Sequence, residues 1–209
     1  MMAAERETTA RRRNAEATRA AILKSARAAF VKSGYDGAGV REIAAGAGVT
    51  AMMVNRYFGS KEKLFAEVVA QTMAEPTILT RENLSAPDVA RTLARGMVEV
   101  TGRAAATLDG FQIMQKSGAS ARAAEIGRAQ IEKQHFRTLA DALTGEHVAE
   151  RAGLILSIAA GLQQMRQGVG LRSLTRADPE VLVALLTPVL QALLEDNSER
   201  KQGGRRRGM

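Results

Sequence analysis

"GVTAMMVNRYFGSKEKLF", residues 48–65, is the stretch from which the fold is read. Thr50 is a hydroxyl residue placed to cap a short helix reaching Phe58. Ser60 stands in the same relation to a longer helix in which Leu64, Phe65, Val68 and Val69 point inward. With a step of about 100° per residue and Val54 at the origin, Ala51 and Phe58 fall within roughly 60° and make the buried stripe. Thr50 and Tyr57 border it at about −40° and −60°, and Asn55 stands near 100°. Met52, Arg56 and Met53 lie at about 160°, 200° and 260°, on the outer face. Two thioethers beside a guanidinium suit a major groove better than open solvent. There Arg hydrogen-bonds guanine O6 and N7 while an apolar group meets a thymine methyl. The alternative for each methionine is to fold back on a neighbouring helix, which its flexible side chain permits.

Upstream, "AEATRAAILKSARAAFVKS" (15–33) sets Ile22, Leu23, Ala26, Ala29 and Phe30 at helical spacing, with Gly34 as a left-handed stop. After the loop "GYDGAG", Val40, Ile43, Ala44 and Ala47 form a brief second helix bounded by Gly46 and Gly48. Two short helices joined by a tight glycine-containing turn make a helix-turn-helix.

Residues 18–65 resemble the N-terminal DNA-binding domain of the tetracycline-repressor-like (TetR) family of bacterial transcription regulators. The resemblance rests on Ile22, Leu23, Ala26 and Phe30; on Ile43, Ala44, Ala47, Gly48, Val49 and Thr50; and on Tyr57, Phe58, Ser60, Lys61 and Leu64. It implies phosphate contacts at Thr50, Tyr57 and Lys61. Met52 stands where such proteins usually carry a small residue, Asn55 where they carry a tyrosine, and Gly39 where they often carry a threonine. Asn55 is therefore expected to meet a phosphate or an adenine edge, and Met52, Met53 and Arg56 to meet bases. Arg41 completes the set of expected DNA contacts.

Charge is distributed to match. Residues 1–63 hold 12 Lys and Arg against 6 Asp and Glu, residues 64–196 hold 13 against 15, and residues 197–209 hold 5 against 1. A basic N-terminal third on a near-neutral body suggests a polyanion-binding module joined to something else. "TARRRN" (9–14) reads as a basic arm reaching a minor groove or phosphates, or as a disordered solubilising segment; 197–209 reads as a basic disordered tail.

The expected fold class is all-α: a three-helix DNA-binding domain (15–60) after an arm (1–14), a connecting helix (61–75), and a helical effector-binding and dimerisation domain (76–196), about nine helices in all. Further helices are expected near 88–104, 107–116, 119–143, 147–168 and 179–195. The last, "PEVLVALLTPVLQALLE", opens on Asp178-Pro179 and is too widely apolar for one buried face, with Pro188 expected to bend it. It and helix 147–168 are expected to form a homodimer seam from Ile155, Ile158, Leu162, Leu182, Leu186, Val189, Leu190 and Leu193, with packing inside one chain as the alternative.

The family resemblance implies a small-molecule effector in the second domain. Met97, Phe111, Met114, Phe136 and Met165 are the candidate lining, with His135 and Gln163 as polar contacts, and plain core packing is the alternative for each; the lack of tryptophan, and of tyrosine in this domain, favours an aliphatic or amphipathic molecule. Binding a palindromic operator as a homodimer and releasing it with effector is the leading functional reading. A constitutive DNA-binding or architectural protein and a helical interaction module are the alternatives. His135 and His147 are the only histidines and form no metal-ligand pattern, Cys is absent, and no phosphate loop or nucleophile elbow occurs, so neither metal, cofactor nor enzymatic activity is expected. With no apolar run of about 18 residues and no hydrophobic signal core, no membrane partner is expected and a cytoplasmic location is.

Overall fold

In the computed structural model, residues 2–74, 78–102 and 109–195 are described, with side chains from Arg12 onward. The basic tail at 197–209 lies outside the described residues. Every regular element among those described is helical, and no helix among them is long and apolar enough to cross a membrane. The chain divides into two units, Met1–Ala74 with Leu108–Gln130, and Glu75–Thr107 with Ile131–Met209.

The first unit begins with α1 (Met2–Gly37), whose path breaks at Gly34, φ 67° and ψ −173°. The expected stop is there, but the segment expected as an arm is the first part of this helix. Its backbone stays helical through 9–14, and Arg12 pairs with Glu16 one turn on at 3.2 Å. α2 (Val40–Gly46), α3 (Ala51–Phe58) and α4 (Lys61–Met73) follow. Ile22, Phe30, Ile43, Val54, Phe58, Leu64 and Phe65 are buried among them. Phe65 meets the Phe30 ring edge-on at 5.0 Å and Tyr35 at 4.9 Å, so aromatic packing fixes α4 to the end of α1.

α7 (Asp109–Lys116) and α8 (Ala121–Ile131), the latter as far as Gln130, group by contact with this unit, although they fall within the segment 76–196 expected as the second domain. The reason lies in long-range polar contacts. Asp109 binds Arg27 at 2.6 Å, the Lys116 ammonium donates to the carbonyls of Val31 and Lys32 at 2.7 and 3.2 Å, and Ser117 Oγ accepts from Tyr35 N–H at 2.9 Å. Lys116 thereby satisfies carbonyls left open where α1 breaks.

The second unit contains α5 (Arg81–Leu84), α6 (Val89–Gly102), a π-helical turn (Glu132–Phe136), α9 (Arg137–Ala142), α10 (Val148–Gln163), a second π turn (Gln164–Gly168), α11 (Arg172–Thr175) and α12 (Pro179–Leu194). Asp178 Oδ1 accepts from Glu180 N–H at 2.8 Å and Pro179 occupies the first turn, the start signal read in the sequence. α12 continues through Pro188. Leu93, Met97, Leu139, Ile155, Leu182, Val183 and Leu190 form the core.

Ile155, Leu182 and Leu190 were expected on the dimer face and instead lie wholly inside this core. Ile158, Leu162, Leu186 and Leu193 pack half-buried against it. The apolar stripe of α12 spans two faces: 182, 183, 186 and 190 turn inward, while 181, 185 and 189 turn out. Val181, Leu185 and Val189, with Leu154 on α10, are the exposed strip.

Two buried arginines close helix ends in this unit. Arg151 donates to the Leu193, Leu194 and Glu195 carbonyls at the C-terminus of α12, at 3.3, 3.4 and 3.0 Å, and to that of Thr144. Arg166 donates to Val98 O at 2.6 Å and Thr101 Oγ1 at 2.8 Å near the end of α6. Each places a cation against the negative pole of a helix. Burial strips water from the Arg166 guanidinium and pulls its pKa down.

Candidate nucleic-acid interface

The turn between α2 and α3 is set by Gly48 at φ 67°. Gly48 N–H donates to Ala45 O at 3.1 Å and Val49 N–H to Ala44 O at 3.0 Å, the paired bonds that end a helix on a left-handed glycine. Ser25 Oγ donates to Ile43 O at 2.8 Å and ties α2 to α1. Thr50 Oγ1 accepts from Met53 N–H at 3.3 Å, which fixes the first turn of α3. Gly39 precedes α2 and, having no side chain, gives it no side-chain cap.

Val54 and Phe58 anchor α3 from beneath, and the Arg19 guanidinium lies 5.0 Å above the Phe58 ring while pairing with Glu67 at 2.5 Å. The opposite face separates the two methionines. Met52 is 80% exposed, whereas Met53 is half-buried at the helix flank, close to the fold-back alternative. Asn55, Arg56, Thr50 and Arg41 are exposed. Among the described residues no carboxylate pairs with Arg41 or Arg56, so both guanidinium groups are free for a polyanion.

Tyr57 is half-buried beside this face. Lys61, at the start of α4, is engaged within the unit: its ammonium sits over the Tyr35 ring and near the Asp36 carbonyl. The eight expected DNA contacts therefore fall on α2, on α3 and its N-cap Thr50, and on the first residue of α4, all within one unit.

The expected effector residues are scattered. Phe111 and Met114 belong to the N-terminal unit, where the Met114 side chain fills the notch left by Gly127 on α8. By contact they are thus grouped apart from Met97 and Phe136, with which they were expected to line one site. Met97 is core, Phe136 packs against that core, and Met165 is exposed. Gln163 is buried with its Nε2 lacking a hydrogen-bond partner, and His135 is half-buried with its pKa lowered by burial. A cleft of about 310 Å³ opens instead among Asn83, Asp88, Arg91, Thr92, Arg95, Gly96 and Glu99. Its two arginines already bind Glu180, Arg95 at 2.7 Å and Arg91 at 3.5 Å. Arg151 and Arg166 were not foreseen; their sequence context reads as ordinary helix surface.

Residues 22–68 match the model for bacterial regulatory proteins of the tetR family, and residues 87–194 match that for the tetracyclin repressor-like C-terminal domain. The HTH-type transcriptional repressor NicS of Pseudomonas putida is 41% identical over 69 residues, 33% of this chain and 32% of NicS. The aligned part thus spans about a third of that relative's length. A TetR-family regulator from Streptomyces coelicolor A3 shares the fold with a TM-score of 0.61 at 23% identity, over 87% of this chain and 96% of that one. AibR, solved in complex with isovaleryl coenzyme A and operator DNA, does so with a TM-score of 0.58 at 18% identity, over 83% and 97%.

Proposed function

The chain belongs to the bacterial tetR family of regulatory proteins, and from that premise we propose that it represses transcription as an effector-released homodimer on a palindromic operator. The observation that carries the proposal is the outer face of α3. Met52 and Arg56 stand unshielded on a helix that Thr50, Val54 and Phe58 hold in place. In this reading α3 enters a major groove, with Arg56 on a guanine, Met52 on a thymine methyl, and Met53 at the flank of the same contact. Thr50, Tyr57 and Lys61 meet phosphates, Arg41 adds charge from α2, and Asn55 reaches a phosphate or an adenine edge.

A palindrome requires two copies whose recognition helices lie about 34 Å apart, or a multiple of that spacing. The strip formed by Leu154, Val181, Leu185 and Val189 is the surface assigned to the second copy. Gly153 and Gly161, beside which no atom would meet an added Cβ, let the α10 helices of the two copies approach closely.

An apolar or amphipathic effector entering the C-terminal unit releases DNA if it prefers the conformation whose recognition helices are out of register. A 100-fold preference shifts that equilibrium by about 2.7 kcal/mol. Met97, Phe136 and Gln163 are the contacts retained for it, Gln163 because its buried amide lacks a partner.

The test is to select fragments of the source genome on the purified protein at physiological salt, then screen metabolites for release of the selected fragment. Enrichment of one palindromic fragment, released by one class of metabolite, supports the reading. Retention of bulk DNA without enrichment defeats it.

A further inference from the structure

Met52 combines two properties that place chemistry on the recognition face. It is the most exposed methionine among the described side chains, 80% against 41% for Met165, with Met97 and Met73 buried. It is also not among the buried residues of α3, which are Val54 and Phe58, and the cap of that helix is Thr50. The sequence contains no cysteine, so methionine thioethers are the chain's only sulfur centres open to oxidation. Thioether oxidation by small peroxides follows exposure, and the product is a polar, chiral sulfoxide.

We propose that Met52 is a reversible oxidation site that switches off operator recognition, an inference that rests on the DNA-binding reading of α3. Hydrogen peroxide is the oxidant. The sulfur lone pair attacks the terminal peroxide oxygen, the S–O bond forms as the O–O bond breaks, and the departing hydroxide takes a proton and leaves as water. Sulfur loses two electrons and the peroxide gains them. A dithiol reductase of the methionine sulfoxide class reverses the step, returning the thioether and water as its two thiols become a disulfide.

The consequence for DNA follows from the polarity of the product. A thioether fits against a thymine methyl, whereas the sulfoxide oxygen is a hydrogen-bond acceptor that must shed water to enter the same place. A dimer carries the change twice, once per half-site. The fold is untouched because the side chain is outside the core, so oxidation alters recognition without unfolding the helix.

The experiment uses the full chain and the selected operator fragment. The protein is titrated with hydrogen peroxide, the oxygen added to each methionine is mapped by peptide mass spectrometry, and operator affinity is measured by fluorescence anisotropy alongside circular dichroism. Operator affinity should fall by about tenfold or more in proportion to Met52 sulfoxide, with helicity unchanged, and methionine sulfoxide reductase should restore it. Bound operator should protect Met52 from peroxide. For M52L, each measurement is referred to its own untreated affinity, and that ratio should stay near one. Undiminished binding by Met52-oxidised protein, or an equal loss in peroxide-treated M52L, would overturn the switch while leaving the regulator reading intact. Failure of the untreated protein to select any fragment would overturn the underlying reading and the switch with it.

Discussion

The Lys61 ammonium lies 4.7 Å from the centroid of the Tyr35 ring and 3.5 Å from the Asp36 carbonyl oxygen. This lysine, given to a phosphate by family resemblance, is therefore held in place before DNA arrives. An ammonium has three N–H donors, so a cation seated on an aromatic face and one carbonyl still has a donor to offer. Lys61→Ala should weaken binding to operator and scrambled DNA alike and lower the slope of log affinity against log salt by about 1 per protomer. Titration at several salt concentrations checks this, and an unchanged slope would remove Lys61 from the phosphate contacts.

Arg56 behaves differently because it is exposed and unpaired among the described residues. Arg56→Ala should cost about 1–3 kcal/mol of discrimination between operator and scrambled DNA. Its thermal stability should stay within about 0.5 kcal/mol of the parent, since nothing in the core changes. A specificity ratio equal to that of the parent would count against base contact by Arg56.

Leu185 is 65% exposed on the outer strip of α12, one turn from Val189. Glutamate there would confront its own twin near a twofold axis, and both charges would lose water on association. Leu185→Glu should sediment as a monomer and lose at least tenfold in operator affinity, whereas Leu190→Glu should unfold the second unit, because Leu190 is completely buried. A Leu185→Glu protein that remains dimeric would place the seam elsewhere.

The contrast between Leu185 and Leu190 also marks what the sequence makes legible. Caps and glycines are local, so Thr50, Ser60, Asp178-Pro179 and Gly34 each announced a helix end that the structure contains. The angular reading of α3 was likewise local, and it placed Val54 and Phe58 inward and Met52 outward. A helix apolar on most sides carries no such phase, so nothing in 179–195 told 182 and 190 from 181 and 189. The hidden features are long-range: Lys116 reaching Val31, or Arg151 reaching Leu193 across 42 residues, joins groups that only the folded chain brings together. The scattered effector residues have the same origin, since methionines and phenylalanines fill either unit equally well.

His135 gives a pH signature. Burial lowers its pKa below the ordinary value of 6.5. In the unfolded chain the imidazole binds its proton near that value, while the folded protein resists until a lower pH. Over that interval the unfolded state holds more protons, so stability falls as pH drops below about 6.5 and levels off once the folded-state pKa is passed. Above the unfolded value both states are neutral and the group contributes no slope. His135→Gln should show a shallower loss of stability than the parent between pH 6.5 and the lower limit, measured by urea unfolding. Parallel profiles would mean that the imidazole is solvated in the folded chain.

Gly34 and Gly48 share φ 67° and differ in what surrounds them. At Gly48 an added Cβ meets no atom, so Gly48→Ala incurs only the backbone strain of a left-handed alanine, about 1–2 kcal/mol. At Gly34 the Cβ collides with the Lys116 carbonyl at the end of α7, and that backbone cannot withdraw without disturbing the Lys116 bonds to Val31 and Lys32. Gly34→Ala should therefore be destabilised beyond Gly48→Ala by a further 1–3 kcal/mol or so, the usual range for overpacking. The two variants should also diverge in function. Gly48→Ala strains the turn that aims α3 and should weaken DNA binding, while Gly34→Ala should loosen α7 from α1 and raise hydrogen exchange across 109–116 with α3 still in place. Equal destabilisation of the two by urea titration would mean that the α1–α7 junction yields at little cost, and that Gly34 is required for its backbone conformation alone.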